Sequence, residues 1–458
     1  MDIQQIAFVI VLLVTTRLAV RSYGRVIRNI KLGRDTETAD PADEGTRWKN
    51  VLLIAFGQKK MFKRPIVALL HGAIYVAFLF TQIELLEILI DGLCGVHRFF
   101  APALGALYTV IISVIELLSL LALGATVIFL FRRNVKGPRR LHQAELDGWP
   151  KLDANLILAL EILLIIGIFT MNMADSVLQD LDPAHYPDTG TFLLSGHLGP
   201  LIMGGWQQDL LVVMERAGWW LHIMIVFCFL LYLPISKHLH ILFAFPNTYF
   251  AKLQPAGTME NMPEVMTEVK SMLGLTAEEA PVSEELPEFG ANDVTGLTWK
   301  NIMDSYTCTE CGRCTSVCPA NITGKKLSPR KIVMDVRDRA TEIGACLDSM
   351  HPKYISDEAK QNNAPLAIDN FDDGKSLFDY ISREELHACT TCNACVEACP
   401  VMIDPLDIIL QLRRYEILTE SAGPADWLPM FNSLENSGAV WQMNIERDAW
   451  TKDLEEKS

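Results

Sequence analysis

Five apolar stretches, at about residues 3–22, 65–90, 104–131, 154–174 and 217–243, dominate the first half of this chain. Each has the length of a membrane span, for which about 20 residues of helix cross a ~30 Å hydrocarbon core. Lipid offers no hydrogen bonds, so a spanning backbone must satisfy its own polar groups, and the expected form is the α-helix. The first stretch begins Met-Asp-Ile, with no basic leader and no small-residue cleavage site, and reads as an anchor rather than a removed signal. The segment 175–216 carries Gly196, Gly199, Gly204 and Gly205. Its apolar run is too broken for a sixth span, and a dip into the bilayer is the most it allows.

Charge divides the chain at the same place. Residues 1–250 hold 21 Lys and Arg against 20 Asp and Glu, whereas residues 251–458 hold 19 against 35. A collagen-like or wholly disordered chain is excluded, and the acidic half is a poor match for nucleic-acid phosphate. With the N-terminus outside, the inner segments collect 19 basic residues and the outer ones only Arg98 and Arg216. Basic residues collect on the cytoplasmic side, so the acidic half is expected in the cytoplasm.

The chemistry of that half lies in its cysteines. Of 11 in the chain, eight fall in two copies of one pattern. Cys308-Thr-Glu-Cys311-Gly-Arg-Cys314-Thr-Ser-Val-Cys318-Pro319 is repeated as Cys389-Thr-Thr-Cys392-Asn-Ala-Cys395-Val-Glu-Ala-Cys399-Pro400. At this spacing three thiolates wrap one [4Fe–4S] cube and the fourth reaches the other cube. The expected ligand sets are Cys308, Cys311, Cys314 and Cys399 for one cluster, and Cys389, Cys392, Cys395 and Cys318 for the other. Zinc sites leave the third and fourth cysteines and the proline unexplained, and cytoplasmic disulfides are rare. Cys94, Cys228 and Cys346 stand outside the pattern and read as small buried or interfacial residues. Helical character over 325–339 and 405–418 flanks the motifs, which points to an α-helical ferredoxin. Residues 246–298 read as a connector, with a short helix around 262–273.

Histidines and acids inside the apolar stretches are the remaining candidates. His71 and His240 fall at matching depth near the inner surface, where a b-type haem between two imidazoles is reasonable. His222 lies 18 residues before His240, five turns of an unbroken helix, whereas His238 points away from His240. Pro234 between them is able to kink the helix and spoil that phase. The plainer reading has each histidine hydrogen-bonding between helices. Glu84, Glu87, Glu116 and Glu161 also fall in spans, where ionisable groups mark proton or quinone contacts or a satisfied interhelical pair.

The run from Trp219 through Pro234-Ile-Ser-Lys237-His238-Leu-His240 to Pro246-Asn247 resembles the last helix of nitrate reductase gamma-subunit-like cytochromes b. The half that carries the cysteines resembles the heterodisulfide reductase C-type ferredoxin, and the tail Asn432–Trp441 with Arg447 and Trp450 is similar to a segment that follows the clusters there. The resemblance implies His71 and His222 and His240 as haem ligands. Where that family has a second ligand on the second span this chain has Thr81, and His97 or His197 are the substitutes within reach. Relatives often carry a cysteine-rich CCG domain; this chain has no such motif, so that part is expected in a separate subunit or not at all.

The expectation is therefore a mainly α protein: a five-helix transmembrane bundle over 1–245, a linker over 246–298, and a helical ferredoxin domain with two [4Fe–4S] clusters over 299–458. Set in a bacterial inner membrane, it would pass electrons between quinone and a cytoplasmic partner, a CCG-domain protein or an electron-transfer flavoprotein, through haem b and the clusters. The alternatives are a haem-free membrane-anchored ferredoxin, a scaffold or a redox sensor.

Overall fold

A computed structural model describes residues 3–35, 43–255, 257–259, 261–275, 289–362, 364–441 and 451. Arg447, Trp450 and much of the connector lie outside them. The protein is 72% helical, and the described residues form no strand. Five helices are long and apolar enough to cross a membrane: α1 (Ile3–Ile30), α2 (Pro65–Cys94), α3 (Ala106–Asn134), α4 (Trp149–Leu181) and, after the short α5 (Ser195–Met203), α6 (Gln208–Tyr232). Outward-facing Ile66, Leu69, Leu120 and Leu121 are exposed, as expected of surfaces that meet lipid rather than water.

Helices α4 and α6 pack most closely, at a pair of glycines. A Cβ on Gly218 would stand 2.7 Å from the Gly167 carbonyl oxygen and 2.6 Å from the Met171 nitrogen. Small residues let the backbones touch where no hydrophobic force separates helix from lipid.

The fifth helix departs from the sequence reading. It ends at Tyr232, and two short 3₁₀ turns, Leu233–Ile235 and Lys237–Leu239, lead into α7 (His240–Tyr249). Pro234 lacks an N–H, Ser236 is extended (φ −118°, ψ 149°), and Asp153 of α4 stabilises the break. The Asp153 carboxylate accepts hydrogen bonds from the Tyr232 hydroxyl (2.6 Å), the Ser236 hydroxyl (2.7 Å) and the Lys237 N–H (3.1 Å). The five-turn relation between His222 and His240 is therefore lost.

The cysteine-bearing half is built on α8 (Trp299–Thr307), α9 (Pro329–Ser349) and α10 (Pro405–Arg414). Their starts are set by local chemistry: Thr298, Ser328 and Asp404 cap them, and prolines at the first turn of α9 and α10 forgo an N–H that has no partner there. The two halves share one core. Val26, Ile30, Leu32, Leu233 and Leu239 pack with Ile302, Val333, Ile343 and Ile408.

Helix α1 makes this possible because it is about 42 Å long at 1.5 Å per residue, more than a bilayer core. Its end docks on α9 through Arg25 on Asp348 (3.0 Å) and Arg28 on the Gly344 carbonyl (2.8 Å), while Asn29 reaches the Tyr306 hydroxyl (3.0 Å). The connector is anchored at both ends, since Asn247 and Thr248 are fully buried and Ala291, Val294 and Leu297 sit in the shared core.

Candidate iron–sulfur centre and its histidine neighbours

The two cysteine loops adopt the same backbone course. Glu310 (φ 52°) and Gly312 (φ 67°) are left-handed in the first, and Thr391 (φ 54°) and Asn393 (φ 59°) occupy the equivalent positions in the second. In each loop the N–H two residues on turns back to the first thiol, Glu310 to Cys308 and Thr391 to Cys389, both at 3.4 Å. Asparagine tolerates this conformation in the open second loop. Glycine is required in the first, where a Cβ at position 312 would meet the Arg330 guanidinium at 2.5 Å.

The fourth cysteine of each loop has neighbours in the other loop. Cys399 lies near Cys311, and Cys314 is neighboured by Cys311, Cys308, Cys399 and also Cys395. Cys318, Cys389, Cys392 and Cys395 together line a cavity of about 340 Å³, counting its open side. No group of three or more His, Cys, Asp or Glu among the described residues closes on one point as a lone metal ion requires.

Burial, aided by Glu310, pushes the Cys308 thiol up to about 12, and burial with Cys311 pushes Cys399 up to about 11. Thiols held so far from ionisation become thiolates only against a strong positive charge, which the iron of a cluster supplies. The donor set fits a cluster. The first set is more enclosed, while Cys392 of the second is exposed.

Membrane-side connections hold the first loop. Arg140 Nε donates to the Cys311 carbonyl (3.0 Å), Arg64 to the Ser316 hydroxyl (2.9 Å) and Arg330 to the Arg140 carbonyl (2.6 Å). Glu310 is paired with Lys237 and with Arg337 (2.8 Å), all three largely buried.

Three histidines gather next to this loop. The His238 and His240 rings stand 5.7 Å apart, side by side rather than on opposite faces, because the break at Ser236 removes the helical phase. His238 is pushed down to about 3, by burial first and then by His240 and His71. His71 Nδ1 bonds to the Gln58 side-chain oxygen (3.0 Å) and His240 Nδ1 to the Lys237 carbonyl (3.0 Å). His222 Nδ1 meets the Leu164 carbonyl at 3.2 Å, away from this group. A ring nitrogen facing a carbonyl must carry the proton, which leaves Nε2 as a lone pair suited to a metal.

The substitutes proposed for an outer ligand fare differently. His97 Nε2 is taken by Asp175 (2.8 Å), and His197 is exposed on α5. Thr81 bonds within its own helix, to the Phe78 carbonyl (3.1 Å). Cys94 and Cys228 are exposed on the outside of the bundle rather than buried, and Cys346 is half-buried.

The acids in the spans belong to a network that sequence reasoning missed. Arg98, 2% exposed and left-handed (φ 56°), is its centre. Its guanidinium donates to Asn172 (2.6 Å) and Asp175 (3.1 Å), with Glu84 at 3.8 Å. Glu87 accepts from the Tyr108 hydroxyl (2.6 Å), and Glu116 accepts from the N–H groups of Leu194 (2.9 Å) and Ser195 (3.2 Å) at the start of α5. These three acids are satisfied between helices. Glu161 lies apart and is half-buried.

Comparison with known proteins agrees with the cysteine chemistry. Residues 307–403 match the model of the 4Fe-4S dicluster domain. The chain is 28% identical to the probable iron-sulfur-binding oxidoreductase FadF of Bacillus subtilis, over 97% of this chain and 59% of that protein. It is 24% identical to the EtfAB:quinone oxidoreductase of Syntrophomonas wolfei, over 85% of this chain and 51% of that one. A probable membrane-anchored ferredoxin of Chromohalobacter salexigens is 33% identical over 35% of this chain and 23% of its own length. The chain thus spans only between half and three-fifths of the first two relatives. No solved structure matches it. The resemblance to nitrate reductase gamma-like cytochromes finds no counterpart in these comparisons. What stands is a 4Fe-4S dicluster domain, with the one-electron transfer such domains serve, carried by a chain with five candidate membrane spans.

Proposed function

We propose that this chain is an electron-transfer subunit of a quinone-linked oxidoreductase in a bacterial inner membrane, with a transmembrane domain over 1–245, a connector over 246–298 and a cytoplasmic ferredoxin domain over 299–458. What supports the reading is that Cys399 has Cys311 near it and Cys318 lines one cavity with Cys389, Cys392 and Cys395, while His71, which has His240 and His238 near it, also has Arg313 of the first cysteine loop within charge range. Cys308, Cys311, Cys314 and Cys399 would hold one [4Fe–4S] cluster, and Cys389, Cys392, Cys395 and Cys318 the other. Bound there, the clusters supply one-electron steps, and a b haem between His71 and His240 would supply another at the membrane side.

The residues do the positioning. Gln58 and the Lys237 carbonyl fix the imidazoles of His71 and His240, and Arg140 fixes the loop of Cys311. His222 is similarly oriented by Leu164 and is the candidate for a second haem. Exposed Cys392 places the second set where a soluble partner reaches it. The names of the relatives favour an electron-transfer flavoprotein as that partner, with a CCG-domain protein the other choice. Quinol oxidation gives two electrons and two protons, and the chain takes the electrons singly.

In proteoliposomes, quinol should reduce the clusters, and a pyridine haemochrome spectrum should show b-type haem that His71→Ala or His240→Ala removes. Cluster reduction without b-type bands would leave a haem-free anchored ferredoxin. No quinol-dependent reduction at all would leave a scaffold or sensor.

A further inference from the structure

The two cysteine sets differ in the charge built around them. Around the first, basic side chains from three connections converge: Arg64 from the approach to α2, Arg132 and Arg140 from the end of α3 and the loop beyond it, and Arg313 from within the cysteine loop. Arg140 and Arg64 bond to the loop itself, at the Cys311 carbonyl (3.0 Å) and the Ser316 hydroxyl (2.9 Å), and Arg313 reaches back to the Lys60 carbonyl (3.4 Å). The acids near this set are spoken for, Glu310 by Lys237 and Arg337 and Asp304 by Lys300 (2.7 Å). Near the second set Arg413 donates to the Cys389 carbonyl (2.6 Å), and Asp404, near Cys395, has Lys252 at 3.8 Å.

The arginines of the first group crowd each other. Arg140 and Arg313 both lie within charge range of Arg64 and Arg132. Cations are held together at such a cost where an anion sits among them. A cluster on four thiolates is net negative and gains one more negative charge on reduction, so nearby cations favour its reduced form.

On the cluster assignment made above, we propose that Arg64, Arg132, Arg140 and Arg313 form a cationic collar. The collar sets the reduction potential at Cys308, Cys311, Cys314 and Cys399 above that at Cys389, Cys392, Cys395 and Cys318. An electron shared between the sets then rests on the membrane side: the second set is oxidised by one electron as the first is reduced. The collar comes from the membrane-side connections, so docking of the two halves and tuning of the centre are one arrangement.

The test is a redox titration of the full chain in nanodiscs, followed by electron paramagnetic resonance. In the unsubstituted protein, two [4Fe–4S] signals should titrate separately. Arg140→Gln and Arg313→Gln should each move the higher one to more negative potential and leave the lower in place. Arg140→Lys should restore most of the shift, and Arg413→Gln should move only the lower signal. Should Arg140→Gln lose the cluster, Arg132→Gln, on the membrane helix rather than in the cysteine loop, gives the same reading. Two signals that neither Arg140→Gln nor Arg132→Gln displaces overturn the collar while leaving the cluster assignment intact. Fewer than two [4Fe–4S] signals in the unsubstituted protein overturn the assignment itself.

Discussion

Cys395 and Cys399 are four residues apart on one loop, yet on the proposed assignment they serve different clusters. Cys395 lines the cavity with Cys318, Cys389 and Cys392, while Cys399 lies against Cys311 and accepts the Ile403 N–H at 3.3 Å. Alanine at either position should therefore destroy a different centre. With two cubes the chain binds about eight irons and about eight acid-labile sulfides, and each single substitution should leave about four of each. Cys308→Ala and Cys389→Ala label the two signals in electron paramagnetic resonance. Cys399→Ala should reproduce the spectrum of Cys308→Ala, although it lies in the motif of Cys389, and Cys395→Ala should reproduce that of Cys389→Ala. Labile sulfide is the cleaner count, because haem adds iron and no sulfide. The reasoning fails if Cys399→Ala and Cys395→Ala give the same spectrum, since each loop would then close its own cube.

Glu145 ties the halves together: it accepts from Ser328 (2.7 Å) and from Arg330 (2.7 Å), whose side chain is fully buried. Burial works to raise its carboxyl, but those two hydrogen bonds and the guanidinium charge bring it below the ordinary glutamate range. A lowered carboxylate stabilises above the unfolded value of about 4.3 and loses that contribution as pH falls through the folded one. Glu145→Gln should thus cost about 3–5 kcal/mol at pH 7, the penalty of leaving a buried charge unpaired, and the gap in melting temperature from the parent should close below about pH 4. Asp153→Asn should cost about 1.5–3 kcal/mol and loosen the His238–His240 turn, read as lower melting temperature and altered haem bands; unchanged values in both would mean Asp153 does not hold the break. Gly218→Leu should lower stability in detergent by at least about 1–3 kcal/mol, because its Cβ meets the Gly167 oxygen at 2.7 Å. Gly124→Leu, with nothing within 4 Å of its Cβ, is the matched control and should be tolerated.

What the sequence disclosed was whatever short-range pattern encodes. The spans follow from apolar length, and most of their observed ends extend the expected ones by a few residues up to nine, because polar helix turns carry on past the lipid, as Arg25, Arg28 and Asn29 of α1 do to reach α9. The third starts slightly late and the fifth stops early, at Tyr232. The dicluster character of the cysteine half follows from the spacing of its two repeated motifs, which fall within residues 307–403. The break after Tyr232 was not legible. Pro234 alone permits either a kinked or an interrupted helix, and the choice falls to Asp153, about 80 residues earlier in sequence, which offers three hydrogen bonds to the unwound turn. That one misjudged stretch misplaced His238, whose ring is brought beside His240 by the local 3₁₀ turn in place of an α-helical phase.

Arg98 shows the same limit from the side of charge. Counted along the chain, it was one of two basic residues on the outer surface. In the fold it is 2% exposed, held by Asp175, Asn172 and Tyr108 with Glu84 close by, so it serves as the counter-ion of buried acids rather than as a surface charge. The other, Arg216, is clamped by the fully buried Glu215 and lies 5.7 Å from the Trp219 ring. Neither is a free cation at an outer membrane surface. The 19 basic residues of the opposite side include Arg64 and Arg140, which are bonded to the cysteine loop, and Arg25 and Arg28, which are committed to α9. The charge asymmetry that reads as a topology signal is thus also what joins the membrane helices to the iron–sulfur domain. A chain selected for that joint would show the same bias, and the two causes separate experimentally: neutralising Lys136 and Lys151, which carry charge on that side without bonding to the cysteine loop, tests orientation, while neutralising Arg140 tests the joint.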